Sequence, residues 1–311
     1  MHNGEVAYAS NAGKLNGLAP EAYIKPQDSL LDNGYLKINQ QTKKEYTKAG
    51  HTVDRWFFSS GTKVTVLPDC IRLTASANSP IYFAQLLEET LGSGVYTMAI
   101  LLKNASRGAL LASNEGHNTY YANKIFSDIG EDLKLVTATF EVPKNNTLKR
   151  AYVRIDEASA DLAAFKLEPG PYFTGWPVWN YALELARCQR YQIEFVHPVT
   201  NISTTSNRYG VIGGGTPMSA TRASILCSTP VQIRTVPVMS FSGKFVLRAG
   251  SASASKGIPV ANIASGTNAA SNGINIMCDV STDTPLTIGA YYELWYLPNN
   301  DGNSLLANAN L

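Results

Sequence analysis

Between residues 29 and 167 apolar and polar positions alternate with a period of two, in short bursts. Lys63-Val-Thr-Val-Leu67 runs into Pro68, Ile71-Arg-Leu-Thr74 follows, and residues 95–102, 151–156 and 164–168 repeat the pattern. Residues 135–142 are rich in β-branched side chains and stop at Pro143, ahead of the turn Lys144-Asn-Asn-Thr147. Successive side chains of a strand point to opposite faces, so this pattern predicts half-buried strands. Turn signals every 8–15 residues with no long helix between them predict an antiparallel β-sandwich. Trp56 and the pair Tyr82-Phe83 read as its core, with Asp54 and Arg55 pairing at the rim.

The period then changes. Residues 168–177, Glu-Pro-Gly-Pro-Tyr-Phe-Thr-Gly-Trp-Pro, form a Pro/Gly linker, and 178–191 place Tyr181, Leu185 and Cys188 on one helical face. Trp176 and Trp179 are expected to pack the two domains together. After residue 192 short strands return at 224–231, 237–241, 244–249, 274–279 and 290–297, predicting a second β-sandwich. Gly213-Gly-Gly215, residues 249–256 and residues 264–272 read as loops, and 301–311 as a frayed or subunit-clasping tail. The expected division is an attachment arm at 1–27 with a short helix near 19–24, a jelly roll at 28–170, a linker and helix at 171–191, and a C-terminal β domain at 192–311.

Composition narrows the function classes. The 311 residues carry 26 Lys+Arg against 24 Asp+Glu, a net charge of +2, and only 16% are charged. That balance argues against broad phosphate binding, so no nucleic-acid partner is expected. The four cysteines lie far apart and form no C-x-x-C spacing, so isolated buried thiols made in a reducing compartment are expected. The N-terminus lacks the apolar core of a signal peptide, and no apolar run approaches a membrane span. No membrane insertion is expected.

Catalytic patterns are sparse. The histidines are terminal (His2), next to a glycine (His51), in a turn (His117) or before a proline (His197), and neither G-x-S-x-G nor H-E-x-x-H occurs. Glu88-Glu89 and Asp156-Glu157 are neighbours in sequence and so point apart on a strand, unlike a glycosidase acid–base pair. Gly213–Gly215 precede Thr-Pro-Met rather than a Lys-Ser/Thr and a helix, so they cradle no phosphate. No cofactor, no metal and no enzymatic activity are expected. The aromatic residues hold more interest. Asn118, Tyr120, Tyr121 and Asn123 combine two phenol rings with two amides in what reads as a polar loop, a composition suited to stacking on a sugar; the alternative is packing at a strand edge.

Three separated phrases carry a resemblance. Leu30-Leu-Asp-Asn-Gly-Tyr-Leu-Lys-Ile-Asn-Gln40 with Thr52-Val-Asp-Arg-Trp56, then Leu167-Glu-Pro-Gly170, then Glu184-Leu-Ala-Arg-Cys-Gln-Arg-Tyr191, stand in this order. They resemble a module of tailed-bacteriophage tail-fibre and head-fibre proteins, as does the arm phrase Asn11-Ala-Gly-Lys-Leu-Asn-Gly-Leu-Ala-Pro20. The resemblance implies a carbohydrate-binding-module-like jelly roll in a homotrimeric virion fibre. The arm would join other virion proteins, and the fibre would meet a host-surface glycan or protein. A capsid, collar or tail decoration protein and a tail-associated glycan hydrolase are the other readings. The resemblance assigns no ligand contact, and its phrases read as structural.

Overall fold

The computed structural model describes residues 26–59, 61–76, 79–196, 210–249, 257–270, 273–297 and 304–310. The expected helix near 19–24, most of the arm and the loop at 250–256 lie outside them. The described chain is mainly β and antiparallel. It forms two compact units. The first takes the described residues of 26–35, 61–62 and 70–179, and the second those of 36–59, 63–69 and 180–310.

The first unit holds eight strands: β5 (Ile71–Thr74), β6 (Ile81–Leu91), β7 (Gly94–Lys103), β8 (Ala105–Ser113), β9 (Tyr120–Ile129), β10 (Lys134–Val142), β11 (Leu148–Ile155) and β12 (Ser159–Pro169). They are preceded in the chain by β1 (Glu45–Tyr46), β2 (Gly50–His51), β3 (Phe57–Phe58) and β4 (Lys63–Val66), which belong to the second unit. One layer runs β5-β12-β7-β10 and the other β6-β11-β8-β9. This is the expected jelly-roll sandwich. Met98, Ile100, Leu102, Phe165 and Leu167 of the first layer are buried at alternate positions, as are Ile81, Phe83, Leu110, Val153 and Ile155 of the second. Alternation is what a sheet with one face on a core requires.

The first layer is buried on its other face too. Lys166 and Glu168 project there, their side chains 1% and 0% exposed, and Lys166 Nζ donates to Glu168 Oε2 at 2.8 Å. The Pro/Gly stretch closes over them. Lys166 Nζ also donates to the Gly175 carbonyl at 2.7 Å and to Thr174 Oγ1 at 3.1 Å, while the Thr174 amide donates to Glu168 Oε1 at 2.9 Å. The Gln27 amide reaches Thr174 Oγ1 at 2.8 Å. Phe173 and Tyr35 both pack on Trp176, with ring centroids 5.3 and 6.0 Å away. The expected linker is therefore a strap on the first unit, held by a desolvated ion pair whose hydrogen bonds are supplied locally.

In the second unit, α1 (Tyr181–Gln189) is capped by Asn180, whose side chain accepts from the Leu183 amide at 3.1 Å. The strands are β13 (Gln192–Val196), β14 (Gly210–Ser219), β15 (Arg222–Ser228), β16 (Val238–Ser242), β17 (Phe245–Ala249), β18 (Ile258–Ala270), β19 (Gly273–Val280), β20 (Tyr292–Tyr296) and β21 (Ser304–Asn308). Six of them close a barrel in the order β14-β15-β19-β18-β17-β20, and β13-β21-β16 form a separate sheet. The strands expected as a second sandwich are thus antiparallel but wrapped into a barrel. Three expectations are corrected. Gly213–Gly215 are strand, because a Cβ at Gly215 would collide with the Ser224 carbonyl and one at Gly213 with the Leu226 carbonyl. Residues 264–270 are strand, paired to β19 despite their small side chains. The expected tail supplies β21, the central strand of its sheet, with Leu305 and Ala307 fully buried. Strand pairing outweighs weak local propensity in each case, on both sides for β14 and β21 and with β19 for 264–270.

The second unit brings together parts of two of the resemblance phrases, residues 36–40 with 52–56 and residues 184–191. The Asp54 carboxylate accepts from the Gln40 amide at 2.7 Å and from Gln40 Nε2 at 2.5 Å, and Gln40 Nε2 also donates to the Gln192 carbonyl at 2.7 Å. Arg55, at φ +72°, lays its guanidinium 3.4 Å from the centre of the Tyr191 ring. Asp54, Arg55 and Trp56 are 1%, 3% and 0% exposed. The Asp54–Arg55 rim is corrected: both residues are interior, because Gln40 and Tyr191 come from distant parts of the chain to meet them. Cys188, Cys227 and Cys278 are buried free thiols, as expected, and Cys70 is free and half-buried.

Two predictions follow the buried charges. Lys166→Met strands the Glu168 carboxylate and should lower stability in urea unfolding by about 3–5 kcal/mol, with much of the loss recovered in Lys166→Met/Glu168→Leu. Burial pushes Asp54 up to about 7, against the opposing hydrogen bonds from Gln40. The unfolded chain, at about 3.9, ionises first, so stability present below that value is lost as pH rises toward 7. Asp54→Asn should therefore shrink the stability lost between pH 4.5 and pH 8 by about 2–4 kcal/mol. A slope unchanged by the substitution would contradict this.

Candidate functional site

The turn joining β8 to β9 organises the candidate residues. The Asn114 side-chain oxygen accepts from the Asn118 and Thr119 amides at 3.2 and 3.3 Å, and Asn114 Nδ2 donates to Asn118 Oδ1. His117 takes φ +55° within it. Such side-chain-to-backbone bonds are how asparagine stabilises a tight turn. The residues expected in a loop then divide. Asn118 lies in the turn, but Tyr120, Tyr121 and Asn123 are on β9, an edge strand of its layer. Their pairing with β8 overrides the polar composition.

A register shift separates the two tyrosines. Ala122 pairs with Ala112, yet Tyr120 pairs with Ser113, so Tyr121 is the extra residue of a bulge. Its hydroxyl donates to the Thr147 carbonyl at 3.1 Å. Tyr121, Asn123 and Lys124 line a groove of about 320 Å³ against Thr137, Thr139 and Phe140 of β10. Tyr120 turns the other way and hydrogen-bonds to the phenol of Tyr152.

Tyr152 is the centre of a larger cluster on the outer face of the β6-β11-β8-β9 layer. Along β11, Arg150, Tyr152 and Arg154 share that face, since they are two residues apart. The Tyr82 ring lies 6.2 Å from Tyr152, and His117 meets it edge-on at 5.8 Å. Arg150 Nη1 contacts His117 Nε2. Arg154 donates to both Asp156 oxygens, at 2.6 and 3.2 Å, and Arg107 Nε is 3.6 Å from Asp156. Tyr152 itself is 2% exposed, whereas Tyr120 is 54% exposed and Ile125 56%. Burial, then the hydrogen bond with Tyr120, pushes the Tyr152 phenol up, and burial with the Arg150 charge holds His117 below the ordinary imidazole value. Both groups are neutral at neutral pH.

Of the four expected site residues, Tyr120 belongs to this face, Asn123 shares it by register with Leu111 and Tyr152 while also lining the groove, Tyr121 belongs to the groove, and Asn118 to the turn. Sequence reasoning missed Tyr152, Arg150 and Arg154, and assigned Tyr82 to the core. The signal for the first three was the alternation Arg-x-Tyr-x-Arg inside a strand already predicted. Among the described residues no group of three His, Cys, Asp or Glu side chains is placed to hold a metal ion, and no helix is long and apolar enough to cross a membrane.

No protein-family model matches the chain, and no curated protein matches it. Solved structures do. A CBM4 carbohydrate-binding module is 14% identical, covering 45% of this chain and 99% of its own, with a TM-score of 0.33. The CBM22-1–CBM22-2 tandem domain of Paenibacillus barcinonensis Xyn10C is 11% identical over 93% and 98%, with a TM-score of 0.29. The glycoside hydrolase domain of Endo-D from Streptococcus pneumoniae R6 is 9% identical over 82% and 37%, with a TM-score of 0.28.

The arrangement makes one electrostatic prediction. His117 should titrate below 6.5 by NMR, and Arg150→Gln should move it upward, because the substitution removes a neighbouring cation that disfavours the imidazolium. A His117 titration that Arg150→Gln leaves in place would contradict the contact.

Proposed function

We propose that this protein is a non-enzymatic glycan-recognition protein that binds sugar on the outer face of the β6-β11-β8-β9 layer. The observation that carries the reading is the aromatic cluster in which Tyr82, His117 and the exposed Tyr120 surround the buried Tyr152, bordered by the guanidiniums of Arg150 and Arg154. A pyranose presents an apolar C–H face and a rim of hydroxyls. Exposed phenol rings offer area at small entropic cost, and planar donors around them fix orientation. The contact of Tyr120 with the Tyr152 phenol, and the packing of Tyr82 and His117 on that ring, order the cluster before a ligand arrives, which lowers the cost of binding. Asp156, at the border of this surface, is engaged by Arg154 and Arg107, and the reading invokes no acid–base step.

The setting comes from the sequence resemblance: a virion fibre, made in the host cytoplasm, that touches a host-surface glycan. Presentation as a trimer, anchored to other virion proteins by the arm, would multiply weak single-site contacts through effective concentration. The motif phrases of that resemblance act as scaffold in this reading, since Gln40, Asp54, Arg55 and Tyr191 are packed against one another.

Tyr120→Ala and Tyr82→Ala should each weaken binding to host-envelope polysaccharide several-fold, at about 1 kcal/mol or more per ring. Tyr121→Ala, in the groove, should leave it unchanged. Calorimetric titration of the folded variants decides the matter: retained affinity in the first two with loss in the third would move the site to the groove. The polysaccharide should also emerge from prolonged incubation at its original size; shortening would make the protein a hydrolase.

A further inference from the structure

We propose that the sugar recognised on this face carries an anionic substituent, a carboxylate or a sulfate, seated against Arg150. The inference rests on the glycan reading and deepens it. Two of the three arginines around the cluster are committed: Arg154 makes a two-pronged bond to Asp156, and Arg107 lies near the same carboxylate. Arg150 is placed differently. Its one hydrogen-bonding neighbour among the described side chains is the His117 ring, and its Nε is buried with no hydrogen-bond partner. A half-buried guanidinium has given up water, and such groups are ordinarily compensated by a carboxylate that accepts from two of their nitrogens. This fold supplies a ring nitrogen instead.

The surroundings favour an anion arriving from outside. Arg150 on β11 pairs with Ser113, which in turn pairs with Tyr120, so the two side chains share the outer face two strands, about 10 Å, apart, across which the sugar would lie. The neighbouring titratable groups are the phenols of Tyr152 and Tyr120, the imidazole of His117, and Glu115, which is exposed in the same turn. Arg107, Arg150 and Arg154 stand against Asp156 and Glu115 here, one positive charge in excess, although the chain as a whole is nearly neutral. Stacking on Tyr120 would place a ring substituent within a side chain's length of Arg150, where a charge-assisted bond gains strength from the partly desolvated site.

An array of neutral, carboxylated and sulfated oligosaccharides, probed with the whole protein, tests this. The expected result is binding to one anionic class about tenfold or more tighter than to its neutral counterpart, with a preference that shrinks as salt rises. Arg150→Gln should abolish the preference, Arg150→Lys should keep part of it, and Tyr120→Ala should weaken binding to charged and neutral sugars alike. Carboxylated and sulfated arms identify which anion is held. Equal binding to neutral and anionic sugars that Arg150→Gln leaves unchanged would overturn the proposal and leave the glycan reading standing. Absence of binding to every sugar on the array would overturn both.

Discussion

A buried cation and a buried carboxylate on the outer face of one sheet set the layout of the sandwich. Lys166 and Glu168 stand two residues apart on β12, on the face that a two-layer sandwich would otherwise leave to solvent. Neither charge can be taken out of water without local partners, and the partners come from the strap after β12: the Thr174 amide and hydroxyl and the Gly175 carbonyl. Proline and glycine in that stretch fix its path, and Trp176 seals it against Tyr35 and Phe173. With one outer face covered in this way, the sandwich is left with the outer face of the β6-β11-β8-β9 layer for a ligand. The side on which the aromatic cluster lies thus follows from where an ion pair had to be covered.

The second unit depends on a comparable arrangement with a different composition. Asp54 accepts from the amide donors of Gln40, and Arg55 rests on the Tyr191 ring in a backbone conformation that non-glycine residues seldom adopt. Such a conformation persists only where the surroundings over-determine it. Here they do so through Gln40 and Gln192, which tie a segment near the start of the described chain to β13. Several residues of the signature phrases, Gln40, Asp54, Arg55, Trp56 and Tyr191, are thus buried. Their role is to join distant parts of the chain, and the exposed residues that could meet a ligand lie elsewhere.

Much of the first unit was legible from alternation alone. Strands β5, β7, β10, β11 and β12 were each anticipated from bursts of period two, because one side of each faces the core. β8 and β9 were less legible. Ala105-Ser-Arg-Gly-Ala-Leu-Leu-Ala-Ser113 packs both faces and so shows no alternation, and Tyr120–Ile129 is an edge strand with a bulge whose polar residues imitate a loop. The same weakness hid β14, β18 and β21, where glycine, alanine, serine and asparagine carry little propensity. They are strands because neighbours on both sides hold their backbone groups.

The candidate site divides along the same line. Sequence by itself determined that the protein is mainly β, that its first domain is a jelly roll, that its charge is balanced, and that tyrosine and asparagine near residue 120 are the side chains suited to sugar. Those properties belong to residue type and to periodicity, which are local. Tertiary structure alone decided that Tyr120 and Tyr121 part company at a bulge, that Tyr82, Tyr152 and His117 assemble around the first of them, and that Arg150 reaches the cluster at the His117 ring. Register between strands settles each of these. A shift of one residue turns a side chain to the opposite face, and that choice is made by the partner strand rather than by the residues themselves.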